Sequence, residues 1–403
     1  MREVVQGARV VATPGCSTPE TLLRELGAHS ATRPGITLSA GILLGDLPFL
    51  PAVVSGQLAM RSWHVTGPMR SALEQGRIGY VPLRASDVPS HVAAATDVLL
   101  MRVSPPDGRG YCSFGPSGSY TRAALDAASL VIAEVDGALP RTRGDTTVHV
   151  SEIDHLVEAD TPTCLYHGAP PTPVSDRIAA HVVELLPRDP TLQFGIGAVP
   201  EAVTAALAGA DLGRISVVGM GSDRLVPLFE RGLLTWVGAE PPVVAVELLG
   251  TPDLFELADD NPAVEVVSST RCHDPRWLAT RPRLVSVNSA VAIDLGGQVA
   301  SDAAGQRVIS GVGGSFDFFE GAQWSPGGLR VLALTSMTAD GRHSRVVADL
   351  GPGASVTIPR HSVDVVVTEH GVARLAGRSL AERADALIAV ADPSVRDSLA
   401  ASR

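Results

Sequence analysis

Short apolar runs alternating with amphipathic stretches constrain this chain more than any other feature of it. "ATDVLLMRVS" (95–104) and "ASLVIAEVDG" (128–137) read as strands, and "YTRAALDAAS" (120–129) between them reads as a helix. A strand that is apolar throughout, rather than at alternate positions, is covered on both faces. The pattern is βαβ and predicts an α/β fold, a largely parallel open sheet under helices. In the second half "DRIAAHVVELL" predicts a helix and "LQFGIG" a strand, and the alternation runs on to about Leu399. Pro and Gly cluster in "HGAPPTPVSDR" (167–177), which reads as a linker. With 403 residues the chain is divided there into two α/β domains, 1–170 and 171–403.

Composition narrows the function classes. Hydrophobic residues make up 45% and charged ones 19%, which suits large cores and excludes a disordered chain. A net charge of −11 argues against nucleic acid as the main partner, though a local basic pocket for a phosphate-bearing cofactor remains compatible with it. All 32 basic residues are arginine, so Schiff-base catalysis and a P-loop lysine are excluded. Cys16, Cys112, Cys164 and Cys272 lie far apart with no CxxC pair, which points to a reducing compartment and no zinc knuckle. The opening "MREVVQGARVV" has no signal-peptide core, and the apolar stretch 35–60 is broken by Asp46, Pro48 and Pro51. A soluble cytoplasmic protein with no membrane partner and no metal is expected.

Three segments could carry chemistry. "LQFGIGAVPEAVTAAL" (192–207) is a strand, a Gly-x-Gly turn and a helix, whose free N–H groups suit an anion or oxyanion. Gly195 and Gly197 are not part of a full GxGxxG, so dinucleotide binding is unsupported and a plain tight turn is an equal reading. "VISGVGGSFDFFEGA" (308–322) sets Gly311, Gly313 and Gly314 after a short strand, with Phe316, Phe318 and Phe319 as an apolar wall. "VSVNSAVAIDLGGQVASD" (285–302) reads as a strand and a Gly-Gly turn, with Asn288 buried and hydrogen-bonded inside an apolar run. There is no GxSxG and no HExxH, and His149 and His155 in "HVSEIDH" read as core or loop residues. A further stretch, "ISVVGMGSDRLVPLFERGLL" (215–234), reads as a strand, a loop at Gly219 to Asp223 and a helix, with a glycine where a reactive side chain would sit.

Taken together the segments resemble the acetyl-CoA hydrolase/transferase family of class I CoA-transferases, the group of 4-hydroxybutyrate and succinyl-CoA:acetate CoA-transferases. The resemblance rests on residues 107–145, "HVSEIDH", "FGIGAVPEAV", "VNSAVAIDLGGQVASD", "SGVGGSFDFFEGA" and residues 344–393, in order along nearly the whole chain. It implies two α/β domains with an acyl-CoA site in the cleft between them and coenzyme A as acyl-CoA substrate, and it is compatible with a homo-oligomer. It implies an oxyanion hole from the backbone at Ile196 and Gly313, with Gly195, Gly197, Gly311 and Gly314 shaping the loops. It also makes Asn288 an active-site residue. Family enzymes use a glutamate nucleophile in a segment like "HSEMISDGVVDLVEAG". In "VVGMGSDRLVPLFERG", Met220, Ser222 and Asp223 match and the glutamate position is Gly219. In "SPGGLRVLAL", Leu329 replaces the common lysine, with Arg330 beside it.

Three functions follow. One is acyl-CoA hydrolysis or acyl transfer in which water or a small acceptor attacks in the space that Gly219 vacates. Another is carboxylate-dependent CoA transfer through a substitute acid, Glu201 or Asp223. The last is an acyl-CoA binder without catalysis. His64 in "SWHVTGP" is a candidate base, against the blander reading of a structural histidine.

Overall fold

The computed structural model describes residues 1–402. The chain divides into two compact units, residues 1–167 with 243–272 and residues 168–242 with 273–403. A division at a single point in the sequence does not show that residues 243–272 return to the first unit.

In the first unit seven parallel strands run in the order His155–Glu158, Leu130–Val135, Val98–Val103, Arg9–Ala12, Thr37–Ala40, Ala59–Ser62 and Ile78–Tyr80. The helix Thr121–Ala127 joins Val98–Val103 to its neighbour Leu130–Val135, as the βαβ pattern requires. The Val98–Val103 strand is buried along its whole length, which explains its apolar run, and its one charged residue, Arg102, is paired with Asp136 at 3.0 Å and Glu134 at 3.4 Å. Within the same unit Val243–Leu248 pairs with Val264–Val266, and that strand with Arg143–Gly144.

The second unit carries six strands in the order Gly371–Arg374, Val365–Thr368, Leu329–Ala333, Leu284–Asn288, Thr191–Phe194 and Ser216–Gly221. All are parallel except the antiparallel edge strand Gly371–Arg374. The prolines of the expected linker end in a helix start. Thr172 caps Pro173–Val183 by accepting from the Ser175 N–H at 3.1 Å, with Pro173 in the first turn, where its missing N–H is harmless. The Gly-Gly turn closes a small hairpin of Ala292–Asp294 with Val299–Ala300, while the Asn288 strand itself lies in the parallel sheet. No helix of the described residues is long and apolar enough to cross a membrane.

One buried carboxyl stands out in the first unit. Glu247, on Val243–Leu248, is 4% exposed, and a Cβ on Gly15 would lie 2.6 Å from its Oε2. Burial pushes the carboxyl up to about 8 against a smaller pull from the Ser117 and Ser119 hydroxyls, and neither oxygen makes a well-formed hydrogen bond. Below its ordinary value of 4.5 the group is protonated in both the folded and unfolded chain and imposes no penalty. From there up to about pH 8 the unfolded chain ionises first, so stability falls as pH rises through this window. Glu247→Gln is expected to raise the melting temperature at pH 8 by a few degrees and to change it little at pH 4. Thermal scans of the two proteins at both pH values check this, and equal melting temperatures at the higher pH contradict it.

Candidate active site

The Gly-x-Gly loop, Asn288 and Gly219 lie at the carboxyl ends of neighbouring parallel strands in the second unit, and the helix that follows the 311–314 loop packs Phe318 against Gly219. Thr191–Phe194 runs into Gly195-Ile196-Gly197 and then the helix Ala198–Leu207. Gly197 is the N-cap at φ 118°, a backbone that favours glycine, and the space beside its Cα is open. A Cβ on Gly195 would lie 3.8 Å from Asn288 Oδ1, so this loop and the Asn288 strand are neighbours. Among the described residues no hydrogen bond takes up the N–H of Ile196 or of Gly313. Those two groups are therefore available to a ligand.

Gln193 and Ser286 sit side by side in the register of adjacent strands, and Asn288 follows two residues on, on the same face. Ser286 Oγ donates to Gln193 Oε1 at 2.6 Å, and Asn288 Nδ2 donates to the same oxygen at 3.0 Å and to Ser286 Oγ at 2.9 Å. Gln193 Nε2 donates in return to Asn288 Oδ1 at 3.4 Å. All three are buried, and none can ionise near neutral pH. The cluster is a fixed, neutral, polar floor. Asn288 thus has the hydrogen-bonded burial expected of it and also borders the Gly-x-Gly loop.

Gly219 falls within the strand Ser216–Gly221, paired with Phe194, so the strand continues two residues past the point where a loop was expected. Its φ is 97°, and a Cβ there would lie 2.9 Å from Phe318 Cζ and 3.1 Å from Gln193 Cγ. The expected vacancy for an attacking water or acceptor at Gly219 is therefore corrected. The direction in which a side chain would grow is filled by the Phe318 ring.

The second glycine loop ends in the helix Ser315–Trp324, with Gly314 as its N-cap. Gly311 is buried, whereas Gly313 has φ 65° and open space beside it. Phe318 and Phe319 are buried in the helix and Phe316 is half-buried, so the apolar wall is a helix face. Against this helix lies His273, which sequence reasoning missed. Its ring centroid is 4.9 Å from that of Phe318, and its Nε2 would be 2.3 Å from a Cβ on Gly314. The one available signal was the dipeptide His273-Asp274 just before Pro275, a helix start.

The two acids proposed as substitutes differ in setting. Glu201 sits in the first turn of Ala198–Leu207, buried, with Oε2 3.2 Å from Arg224 Nε. A Cβ on Gly168 would meet its carboxyl carbon at 2.8 Å. The space bounded by Ile196, Glu201, Met220 and Ser222 has about 10 Å³, room for one water. Asp223 is half-buried in the turn after Gly221.

The other predicted residues have settings of their own. Arg330 is committed to Asp364, through Nε at 2.9 Å and a second guanidinium nitrogen at 2.6 Å, and also bonds Gln323 and the His361 carbonyl. No free guanidinium is left there to hold CoA. His64 belongs to the first unit, half-buried after the strand Ala59–Ser62, and burial pushes its imidazole down to about 4. His149 caps a short turn by accepting from the Ser151 N–H at 3.2 Å, and His155 lies 2.9 Å from Glu3.

Known proteins agree on what this arrangement belongs to. Residues 4–165 match the acetyl-CoA hydrolase/transferase N-terminal domain and residues 250–403 its C-terminal domain. The chain is 38% identical to a 4-hydroxybutyrate coenzyme A transferase of Clostridium kluyveri, over 97% of this chain and 92% of that one. It is 36% identical to a succinyl-CoA:acetate/propanoyl-CoA:succinate CoA transferase of Fasciola hepatica, over 98% and 84% of the two chains. The crystal structure of RipA from Yersinia pestis superposes with a TM-score of 0.91 at 27% identity, covering 99% of this chain and 94% of that one.

The contact at Gly219 makes a direct prediction. Gly219→Ala forces an L side chain into a left-handed backbone and against Phe318, and should destabilise the fold by about 1–3 kcal/mol. Urea unfolding of the variant measures this, and an unchanged midpoint would show that the strand relaxes freely at this position.

Proposed function

The chain belongs to the acetyl-CoA hydrolase/transferase family, and from that premise we propose direct passage of the acyl group to a small acceptor, with no covalent bond to the protein. Membership makes it an acyl-CoA transferase or hydrolase acting on a CoA thioester. The finer reading, direct transfer to water or a carboxylate, rests on one observation. By its resemblance Gly219 stands where family members hold a glutamate nucleophile, and Phe318 closes the room such a side chain would take. Gln193, a member of the neutral Gln193–Ser286–Asn288 cluster, lies against that position, and the N–H groups of Ile196 and Gly313 are left without a hydrogen bond. Glu201 is already paired with Arg224 in a space of about one water, which is why it is not assigned as a nucleophile.

In the proposed step the acceptor oxygen bonds to the acyl carbon, and the carbonyl electrons move onto its oxygen, held by the two backbone N–H groups. The carbonyl reforms, the carbon–sulfur bond breaks, and its electron pair leaves on sulfur as the CoA thiolate. With water as acceptor, the protons it brought pass to the thiolate and to solvent. With a carboxylate as acceptor, the product is a mixed anhydride that the thiolate reopens. The acceptor then leaves as the new CoA ester and the donor as a free acid.

The test is thiol release from a panel of short-chain acyl-CoAs, with and without acetate, with the intact protein mass recorded during turnover. Release with no mass added to the protein is the expected result. An acyl or CoA adduct on a peptide holding Glu201 or Asp223 would replace this reading with a substitute nucleophile. Tight binding without release would make the protein a binder.

A further inference from the structure

We propose that His273 is a catalytic residue of this site, whose Nε2–H donates a hydrogen bond to the oxyanion formed on the acyl carbonyl at the 311–314 loop. The proposal rests on the direct-transfer reading above and adds to it a side-chain donor for the developing charge. Its geometry comes from two packed helices of the second unit. Asp274 caps Pro275–Ala279 by accepting from the Arg276 N–H at 2.9 Å, which fixes the chain direction at His273 just before it. This helix lies against Ser315–Trp324, where a Cβ on Gly321 would meet Leu278 Cβ at 2.3 Å, so only a glycine admits the approach. Gly314, Phe318 and Gly321 fall at helical positions i, i+4 and i+7, on one face. That face receives Leu278 at one end and the His273 ring at the other, with Phe318 between them.

The ring is placed as a donor rather than as packing alone. His273 is 5% exposed, and its Nδ1 is buried with no hydrogen-bond partner. A neutral imidazole carries one proton, and a buried bare lone pair is tolerated better than a buried bare N–H. The proton therefore belongs on Nε2, the nitrogen that lies against Gly314 at the start of the helix. There it lies next to the residue that follows Gly313, whose N–H is free, at the positive end of a ten-residue helix. Burial holds the imidazole down to about 3, so the ring stays neutral at working pH and keeps its donor without adding a charge. No proton is transferred: the hydrogen bond strengthens as charge appears on the carbonyl oxygen and weakens when the carbonyl reforms.

His273→Phe keeps a ring to pack on Phe318 and removes the donor, while His273→Gln returns an amide N–H near the place of Nε2. With a turned-over acyl-CoA, His273→Phe is expected to lose on the order of 10²-fold in kcat with KM little changed, and His273→Gln to recover most of it. Urea midpoints of all three proteins separate this from a folding defect. Wild-type kcat in a folded His273→Phe would overturn the proposal while leaving direct transfer standing. Independently of turnover, ¹⁵N-histidine NMR is expected to show the Nε2–H tautomer and a shift of that nitrogen when butyryl-CoA is added. A protein that releases no thiol from any ester loses the functional reading, but the resonance still decides this one. A His273 signal that butyryl-CoA leaves unmoved would overturn the donor role.

Discussion

The contact between Phe318 and the backbone at Gly219 is the constraint on which the site depends. A positive φ turns the Cα–Cβ direction of residue 219 toward the ring, and the ring lies where that side chain would start. Neither partner can change alone. A side chain at 219 needs the ring to leave, and the ring is held by contact with the His273 ring and by the packing of its helix at Gly321. The consequence is chemical as much as steric. The position offers an apolar surface in place of an ionisable group, and the polar groups nearby are amides, a hydroxyl and backbone N–H donors.

Neutrality extends beyond this point. Burial holds the His273 imidazole neutral at working pH and favours the protonated form of Glu247 in the other unit, and the Gln193–Ser286–Asn288 cluster has no charge to lose. A low-dielectric site lined by fixed dipoles favours a charge that forms during reaction over one present before it, because the dipoles need no reorganisation when the charge appears. The arginines follow the opposite rule. Arg330 and Arg224 are both tied to carboxylates, at Asp364 and Glu201, so their charges are paired within the fold.

Much of this was readable in the sequence. Apolar runs at Val98–Val103 and Leu130–Val135 are buried parallel strands, and the glycines at 195, 197, 311, 313 and 314 mark turns at strand ends and helix starts, because those features depend on local backbone preference and burial. Asn288 was legible as buried and bonded, but its partner Gln193 lies 95 residues away, and no spacing rule reaches that far. The Phe318 ring was foreseen as a wall but not as the group that closes position 219, since that follows from a backbone φ set by the sheet. His273 was missed altogether: it is single, outside any motif, and brought to the loop by a glycine face on another helix. The return of residues 243–272 to the first unit is likewise a tertiary fact with no composition shift to announce it.

The central claim is that the acyl group never bonds to the protein, and oxygen tracing tests it most directly. A single turnover would be run with the acceptor, water or acetate, labelled with ¹⁸O, and both the released acids and the peptides of the protein weighed afterwards. Direct transfer predicts ¹⁸O in the acid released from the donor acyl-CoA and none in any peptide. Label in a glutamate or aspartate of the protein would mean that a carboxylate of the chain took part in the bond exchange, and would contradict the account.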